Sequence, residues 1–404
     1  MRSVFVLVLC VLIFGCQQSK TTNKLEIGFY RATLALQDKE VLPFNFEVTS
    51  DSTLVVFNGE ERIEVDEITI KNDSVFIQFP VFEGYVAATF KGKNLKGDFI
   101  KESVGRVVPF EAEFGNKERF LTENEAKFNV DGIWEVVFSE GIEADEYSAK
   151  GLFKQTGNKV TGTFRTTTGD YRFLEGVVDG SQLKLSAFDA SHAFYFTAQV
   201  NDSSMNGNFY SGNHFKEPFT GTRNADFELP NANELTFLKE DYESLDFSFP
   251  DASGKLVSLS DAQFKNKVVV VQVMGTWCPN CLDESKYYTQ YYNHHKSDDL
   301  AFVALAFEYD KTPEKAFDKI YRLKERLQIN YPILLAQYGG INKAEAQQKL
   351  PTLNHVLSYP TSIFIDKQGK VRKIHTGFNG PATGDKFVEF KKEFEGFVAE
   401  LLAE

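Results

Sequence analysis

Two cysteines, Cys278 and Cys281, stand two residues apart in the run Val273-Met274-Gly275-Thr276-Trp277-Cys278-Pro279-Asn280-Cys281. The chain holds four cysteines, and the other two are Cys10, inside an N-terminal apolar segment, and Cys16, at its end. If that segment is cleaved, only the pair at 278 and 281 is left as free thiols. Such a pair at a strand-to-helix junction suits sulfur exchange. The N–H groups of a helix's first turn lack intrahelical partners and point toward a residue placed at Cys278. They favour thiolate over thiol, and sites of this kind bring a cysteine pKa from about 8.5 to roughly 3.5–7.5. The thiolate attacks a disulfide, and Cys281, one turn further on, resolves the mixed disulfide. Pro279 fits the first helical position, where its missing N–H costs nothing. A structural zinc site would need a second Cys/His pair at suitable spacing, which the sequence does not offer. A c-type haem site would need His after the second cysteine, where Leu282 stands. No metal and no cofactor is expected.

The elements that must position this pair follow from the pattern of apolar residues. Lys267 to Met274 is a continuous apolar strand of the kind buried on both faces, and Cys278 to about His294 reads as a helix. Leu300 to Phe307 is a second buried strand. Thr312-Pro313-Glu314 starts a helix lined by Phe317, Ile320, Leu323 and Leu327. Thr361 to Asp366 and Val371 to Thr376 form a hairpin. Phe387, Phe390, Phe394, Phe397 and Leu401 mark one face of a closing helix. Before this α/β part, residues from about 25 to 225 read as all-β. Runs such as Thr53–Phe57, Val75–Phe79 and Leu183–Ala187 alternate with turn signals such as Asn58-Gly59 and Asp179-Gly180. Leu95-Lys96-Gly97-Asp98-Phe99 resembles Met205-Asn206-Gly207-Asn208-Phe209, Val160–Phe164 resembles both, and Gly28-Phe29-Tyr30 resembles Gly132-Ile133-Trp134. A duplication of about 100 residues fits, as two meanders packed into sandwiches or small barrels. The alternative is one large sandwich of similar strands. The dense aromatics are expected to fill the core; a ligand-binding cup is the other reading. His192 and His214 are expected to be structural or at the surface.

The expected organisation is a lipoprotein signal peptide (1–15), a tether (16–24), β-rich units at 25–125 and 126–225, a linker (226–243), and a thioredoxin-like α/β domain (244–404). The stretch Asn224–Asn233, which leads into the linker, is polar and carries Pro230, so few contacts should cross it. At the N-terminus, Arg2, an apolar run to Phe14, and Gly15-Cys16 make a secretory signal, too short to be a stable membrane span. Ile13-Phe14-Gly15-Cys16 resembles a bacterial lipoprotein box, which implies lipidation of Cys16. No aspartate follows Cys16, so a periplasm-facing anchor in the outer membrane is expected over the inner one. With 57 acidic against 44 basic residues and a net charge of −13, nucleic acid is not an expected partner.

Trp277-Cys278-Pro279-Asn280-Cys281 resembles the active site of the thioredoxin superfamily, and Tyr359-Pro360-Thr361 its cis-proline loop. More narrowly, residues from about 244 resemble the TlpA/ResA-like thiol–disulfide oxidoreductases. Phe249-Pro250-Asp251 through Leu259-Ser260-Asp261 is similar to that family's N-terminal hairpin, and Phe364-Ile365-Asp366-Lys367-Gln368-Gly369 to its F-x-D-x-x-G hairpin. The resemblance implies a redox-active Cys278–Cys281 disulfide and a substrate surface at Trp277, Tyr359, Pro360 and Thr361. It also implies an active-site glutamate at Glu284, a proton acceptor for Cys281. The implied partners are client proteins with disulfides, apocytochromes c being the familiar ones, and a membrane or periplasmic electron donor. Two departures stand out. The family usually has proline immediately before the second cysteine, where Asn280 stands, and proline after the glutamate, where Ser285 stands. The first leaves the direction of electron flow open. Asp283, His294 and His295 are expected to face solvent, and His355 and His375 carry no functional signal.

Two other functions are compatible with parts of the sequence. A peroxiredoxin-like peroxidase shares the fold but wants T-x-x-C, and Thr276 is one residue too close to Cys278. A peroxide-consumption assay separates it. A non-enzymatic binding lipoprotein would use the β region as its working part, which a pull-down with that region would reveal.

Overall fold

The computed structural model describes residues 24–295 and 297–404. The signal peptide, the Cys16 lipid anchor and nearly all of the tether lie outside the described residues.

The β region forms two closed or nearly closed meanders rather than one sandwich. In the first, nine strands run in order from Gly28–Ala35 to Arg106–Phe114, and these first and last strands pair antiparallel. The ring has one gap, between Glu61–Val65 and Glu67–Lys71. In the second, Gly132–Phe138 pairs with both Tyr147–Thr156 and Phe215–Arg223, and the ring closes fully. Closure removes unpaired strand edges. The sequence similarity falls where the topology repeats. Gly97 and Gly207 sit in the next-to-last strand of each ring, so close to the neighbouring strand that a Cβ would run into the carbonyl oxygens of Ala87 and Thr197.

Alternate strand positions point inward and fill both rings. In the second, Phe138, Phe164, Phe196, Phe209 and Phe219 form one cluster, with Phe196–Phe209 centroids 4.6 Å apart. These aromatics are packing, as expected, and not a cup. The two rings also share a seam. Phe188 stacks on Phe44 at 4.2 Å and belongs to the core of the first ring. Arg119, buried in the seam, donates to Pro43 O, Phe57 O, Asn58 Oδ1, Ser186 Oγ and Glu175. Five acceptors compensate what burying a guanidinium would otherwise cost.

The C-terminal part is a five-stranded mixed sheet. Val268–Met274 is central, parallel to Leu300–Phe307 and antiparallel to Thr361–Ile365; Ile333–Gln337 and Val371–Thr376 are the edges. Around it lie α1 (Pro279–His294), α2 (Pro313–Leu327), α3 (Lys343–Lys349) and α4 (Asp385–Ala403). The expected N-terminal hairpin pairs Ser248–Pro250 with Leu256–Ser258.

The stretch expected to be a free linker is docked on both sides. Glu228 pairs with Lys150 at 2.5 Å. Thr376 N donates to Ala232 O (2.9 Å), and Lys239 N donates to Thr352 O (2.8 Å). Contacts between the β region and the α/β part are equally extensive, contrary to the expectation of few. Val81 and Phe82, from the first ring, belong to the thioredoxin-like core. Arg322 on α2 donates to Glu67 and to Phe79 O, and Arg326 pairs with Asp66 at 2.9 Å. A polar, proline-containing sequence is compatible with either a free or a docked chain, and the partners here lie far away in sequence.

Candidate active site

Cys278 ends the loop after the central strand and is the N-cap of α1; its Sγ accepts from the N–H of Cys281 at 3.1 Å. Pro279 occupies the first helical position. The two cysteines form a disulfide. Cys278 is the more accessible residue of the pair, 5% exposed against 0% for Cys281. The Tyr359–Pro360 peptide is cis, and Tyr359 O lies 3.4 Å from Cys278 Sγ. Trp277 is fixed by its indole N–H, which donates to Phe307 O at 2.8 Å, and by edge contacts with Tyr309 and Tyr359. Thr361 is buried and donates to Ser358 O (2.9 Å). The structure therefore brings Trp277, Cys278, Cys281, Tyr359, Pro360 and Thr361 together.

Glu284 points inward from α1 and is fully buried. Its two oxygens accept from Gln272 Nε2 (2.8 Å) and Ser362 Oγ (2.9 Å). Tyr288 OH lies 2.8 Å from Ser362 Oγ. Gln272 Nε2 also lies 3.4 Å from the carbonyl of Cys281, and its Oε1 accepts from Ser285 Oγ. Burial pushes the Glu284 carboxyl up to about 7, against the opposing effect of those hydrogen bonds. A group poised there holds or releases a proton at neutral pH.

Sequence reasoning missed the Gln272–Ser362–Tyr288 cradle. The available mark was Gln272, a single amide inside the otherwise apolar strand Val268–Met274, which must find partners once buried. It also missed Glu308, whose carboxylate accepts from Thr276 N (2.9 Å) and Oγ1 (2.7 Å), holding the turn before Trp277. Burial raises Glu308 to about 8.

Asp283 corrects an expectation. It does not face solvent but is buried against Arg172 of the second ring, with which it forms an ion pair, and against Lys286 at 3.1 Å. The cause is tertiary: the ring covers this side of α1. His375 is likewise buried, its Nδ1 2.9 Å from Asn233 Oδ1, and burial lowers it to about 4. His192 lies beside Asp189.

Comparison with known proteins agrees with this geometry. Residues 239–388 match the Redoxin family. Thiol-disulfide oxidoreductase ResA of Bacillus thuringiensis subsp. konkukian (strain 97-27) is 30% identical over 151 residues, 37% of this chain and 76% of that one. ResA of Bacillus subtilis (strain 168) is 29% identical over 140 residues, 35% of this chain and 69% of that protein. Thioredoxin-like protein YneN of the same strain is 30% identical over 140 residues, 35% of this chain and 73% of its own. The matched stretch holds the capped Cys278–Cys281 pair, and through it the chain belongs to the TlpA/ResA-like thiol–disulfide oxidoreductases of the thioredoxin superfamily, enzymes of thiol–disulfide exchange.

Proposed function

We propose that this chain is an exported, lipid-anchored reductase of disulfides in other exported proteins. The observation that carries the reading is the position of Cys278 Sγ, on the free N–H groups of α1 and beside Tyr359-Pro360. In the reduced enzyme the Cys278 thiolate attacks one sulfur of a client disulfide. A mixed disulfide forms and the client's other sulfur leaves as a thiolate. Cys281 loses its proton, with Glu284 as the acceptor, and attacks Cys278 Sγ. The client leaves with two thiols and the enzyme keeps the Cys278–Cys281 disulfide; two electrons have passed to the client. A separate donor must then reduce the enzyme.

Cys281→Ala removes the resolving sulfur, so mixed disulfides should accumulate on Cys278 in cells. Mass spectrometry of the trapped adducts names the clients. Recovery of no adduct by Cys281→Ala, with Cys278 still alkylatable, would sink the reductase reading.

The anchor rests on Ile13-Phe14-Gly15-Cys16. Each buried CH2 of an acyl chain adds about 0.8 kcal/mol, so more than one chain holds a protein stably at a bilayer. Among the described residues no helix is long and apolar enough to cross a membrane. Cys16→Ser should move the protein from the membrane to the soluble fraction. An unchanged membrane fraction would count against lipidation.

A further inference from the structure

Trp277–Asn280 carries Cys278, Ser358–Pro360 lies beside it, with Tyr359 O 3.4 Å from Cys278 Sγ, and Gly377–Gly380 adjoins that loop through Gly377 N, which donates to Pro360 O at 2.9 Å. One hairpin tip of the second ring, Thr166 to Arg172, lies on all three. Asn280, between the two cysteines, donates from Nδ2 to Asp170 O at 3.3 Å. Ser358 Oγ donates to Thr168 O at 2.9 Å. Gly380 N donates to the Asp170 carboxylate at 2.6 Å. The fit is close. A Cβ on Gly377 would come within 3.0 Å of the Thr167 and Thr168 backbone, and one on Gly169 would meet the Asn280 side chain. Ser191, from a neighbouring turn, donates to Trp277 O at 2.7 Å.

The tip is fastened by Arg172. Its guanidinium pairs with Asp283 on α1, with Glu61 of the first ring at 2.6 Å, and with Asp189 at 3.4 Å. One buried cation thus ties three bodies together. Under this cover Cys278 is only 5% exposed and Tyr359 only 8%. A sulfur of a protein client needs an open line to Cys278 and room for the flanking chain beside Pro360.

We propose that the Thr166–Arg172 hairpin tip occupies the client groove as an intramolecular stand-in, so that a protein disulfide engages Cys278 only after the tip is displaced. The inference rests on the reading that Cys278 attacks clients beside Pro360. It adds a gate that favours flexible, extended segments able to replace the tip, over disulfides held inside folded proteins.

The test uses the reduced full chain. Arg172→Gln removes the fastening, and Gly169→Val drives a side chain into Asn280 without touching the ion pair. Alkylation of Cys278 by a bulky PEG-maleimide should rise on the order of tenfold in both: in Arg172→Gln because a buried ion pair that loses one partner no longer favours the closed form, and in Gly169→Val because the added side chain collides with Asn280 and lifts the tip. Alkylation by iodoacetamide, which is small, should rise much less. Equal labelling of wild type and variants by the bulky reagent would overturn the gate. A second measurement leaves the tip intact, in case the variants misfold. In Cys281→Ala, amide hydrogen exchange at 166–172 is compared between a methylthio adduct and a mixed disulfide formed with a short cysteine peptide supplied as its thiopyridyl disulfide, whose thiopyridine leaves as Cys278 attacks. Faster exchange in the peptide adduct alone supports displacement; failure of the peptide to react where the methylthio reagent does overturns it, since a flexible segment should replace the tip. Equal protection in both adducts overturns the gate. Failure of both reagents to modify Cys278 overturns the underlying reading, and the gate with it.

Discussion

Cys278→Ala should bring disulfide reduction down to the rate of the assay without enzyme, whereas Cys281→Ala should keep the first attack and stop at the mixed disulfide. The asymmetry follows from α1. Cys278 is its N-cap, with Sγ accepting from the Cys281 N–H, so the electrostatic benefit of the helix end falls on that sulfur. Cys281 is completely buried and can attack only a sulfur already delivered to Cys278. In the reduced protein, iodoacetamide at mildly acidic pH should therefore label Cys278 well before Cys281. Mass spectrometry of the labelled peptides reads the order. Preferential labelling of Cys281, or residual turnover by Cys278→Ala above background, would reverse the roles.

How far the sequence reached depended on whether the partners were local. The central strand, α1, α2, the hairpin at 361–376 and α4 were legible because each carries its own periodicity, and Pro279 and Pro313 mark helix starts. The edge strand Ile333–Gln337 and α3 escaped, being only five and seven residues long. The repeated Gly-x-Phe segments were partly a true repeat and partly a shared solution. Gly97 and Gly207 hold equivalent places, but Gly162 sits in the third strand of its ring and is there for the same close strand approach, against Leu152 O. The largest miss, the docking of the β region over the active site, was not legible at all. Asp283 looks like a solvated carboxylate until Arg172, 111 residues earlier, is folded onto it. Nothing within a turn of either residue announces the other.

Glu284→Gln should slow disulfide exchange near neutral pH by on the order of a hundredfold, the scale of general acid–base catalysis by one positioned side chain. The pH–rate profile should lose a step near 7, where burial has pushed this carboxyl. A structural role alone would move stability without that step, and stability gives an independent check whose sign is fixed. The folded-state value, about 7, lies above the ordinary 4.5, so the folded protein holds this proton more tightly than the unfolded chain. Its contribution to stability is fully present below about pH 4.5 and is lost as the pH rises through 7. At about 1.4 kcal/mol per unit, the loss is roughly 3 kcal/mol. Glutamine carries no charge to bury, so the variant should gain on the wild type by about that amount between pH 5 and pH 9. Glu308 titrates in the same range, raised to about 8, but it is present in both proteins and cancels in the difference. Denaturant unfolding of the oxidised proteins is the right measurement, because disulfide-bonded cysteines do not titrate. If the two stability curves run parallel from pH 5 to 9, burial has not raised this carboxyl. If they diverge as described but the rate profiles coincide, Glu284 is merely a buried, hydrogen-bonded carboxyl. The proton of Cys281 would then have to leave by another route than Gln272 and Ser362's neighbour.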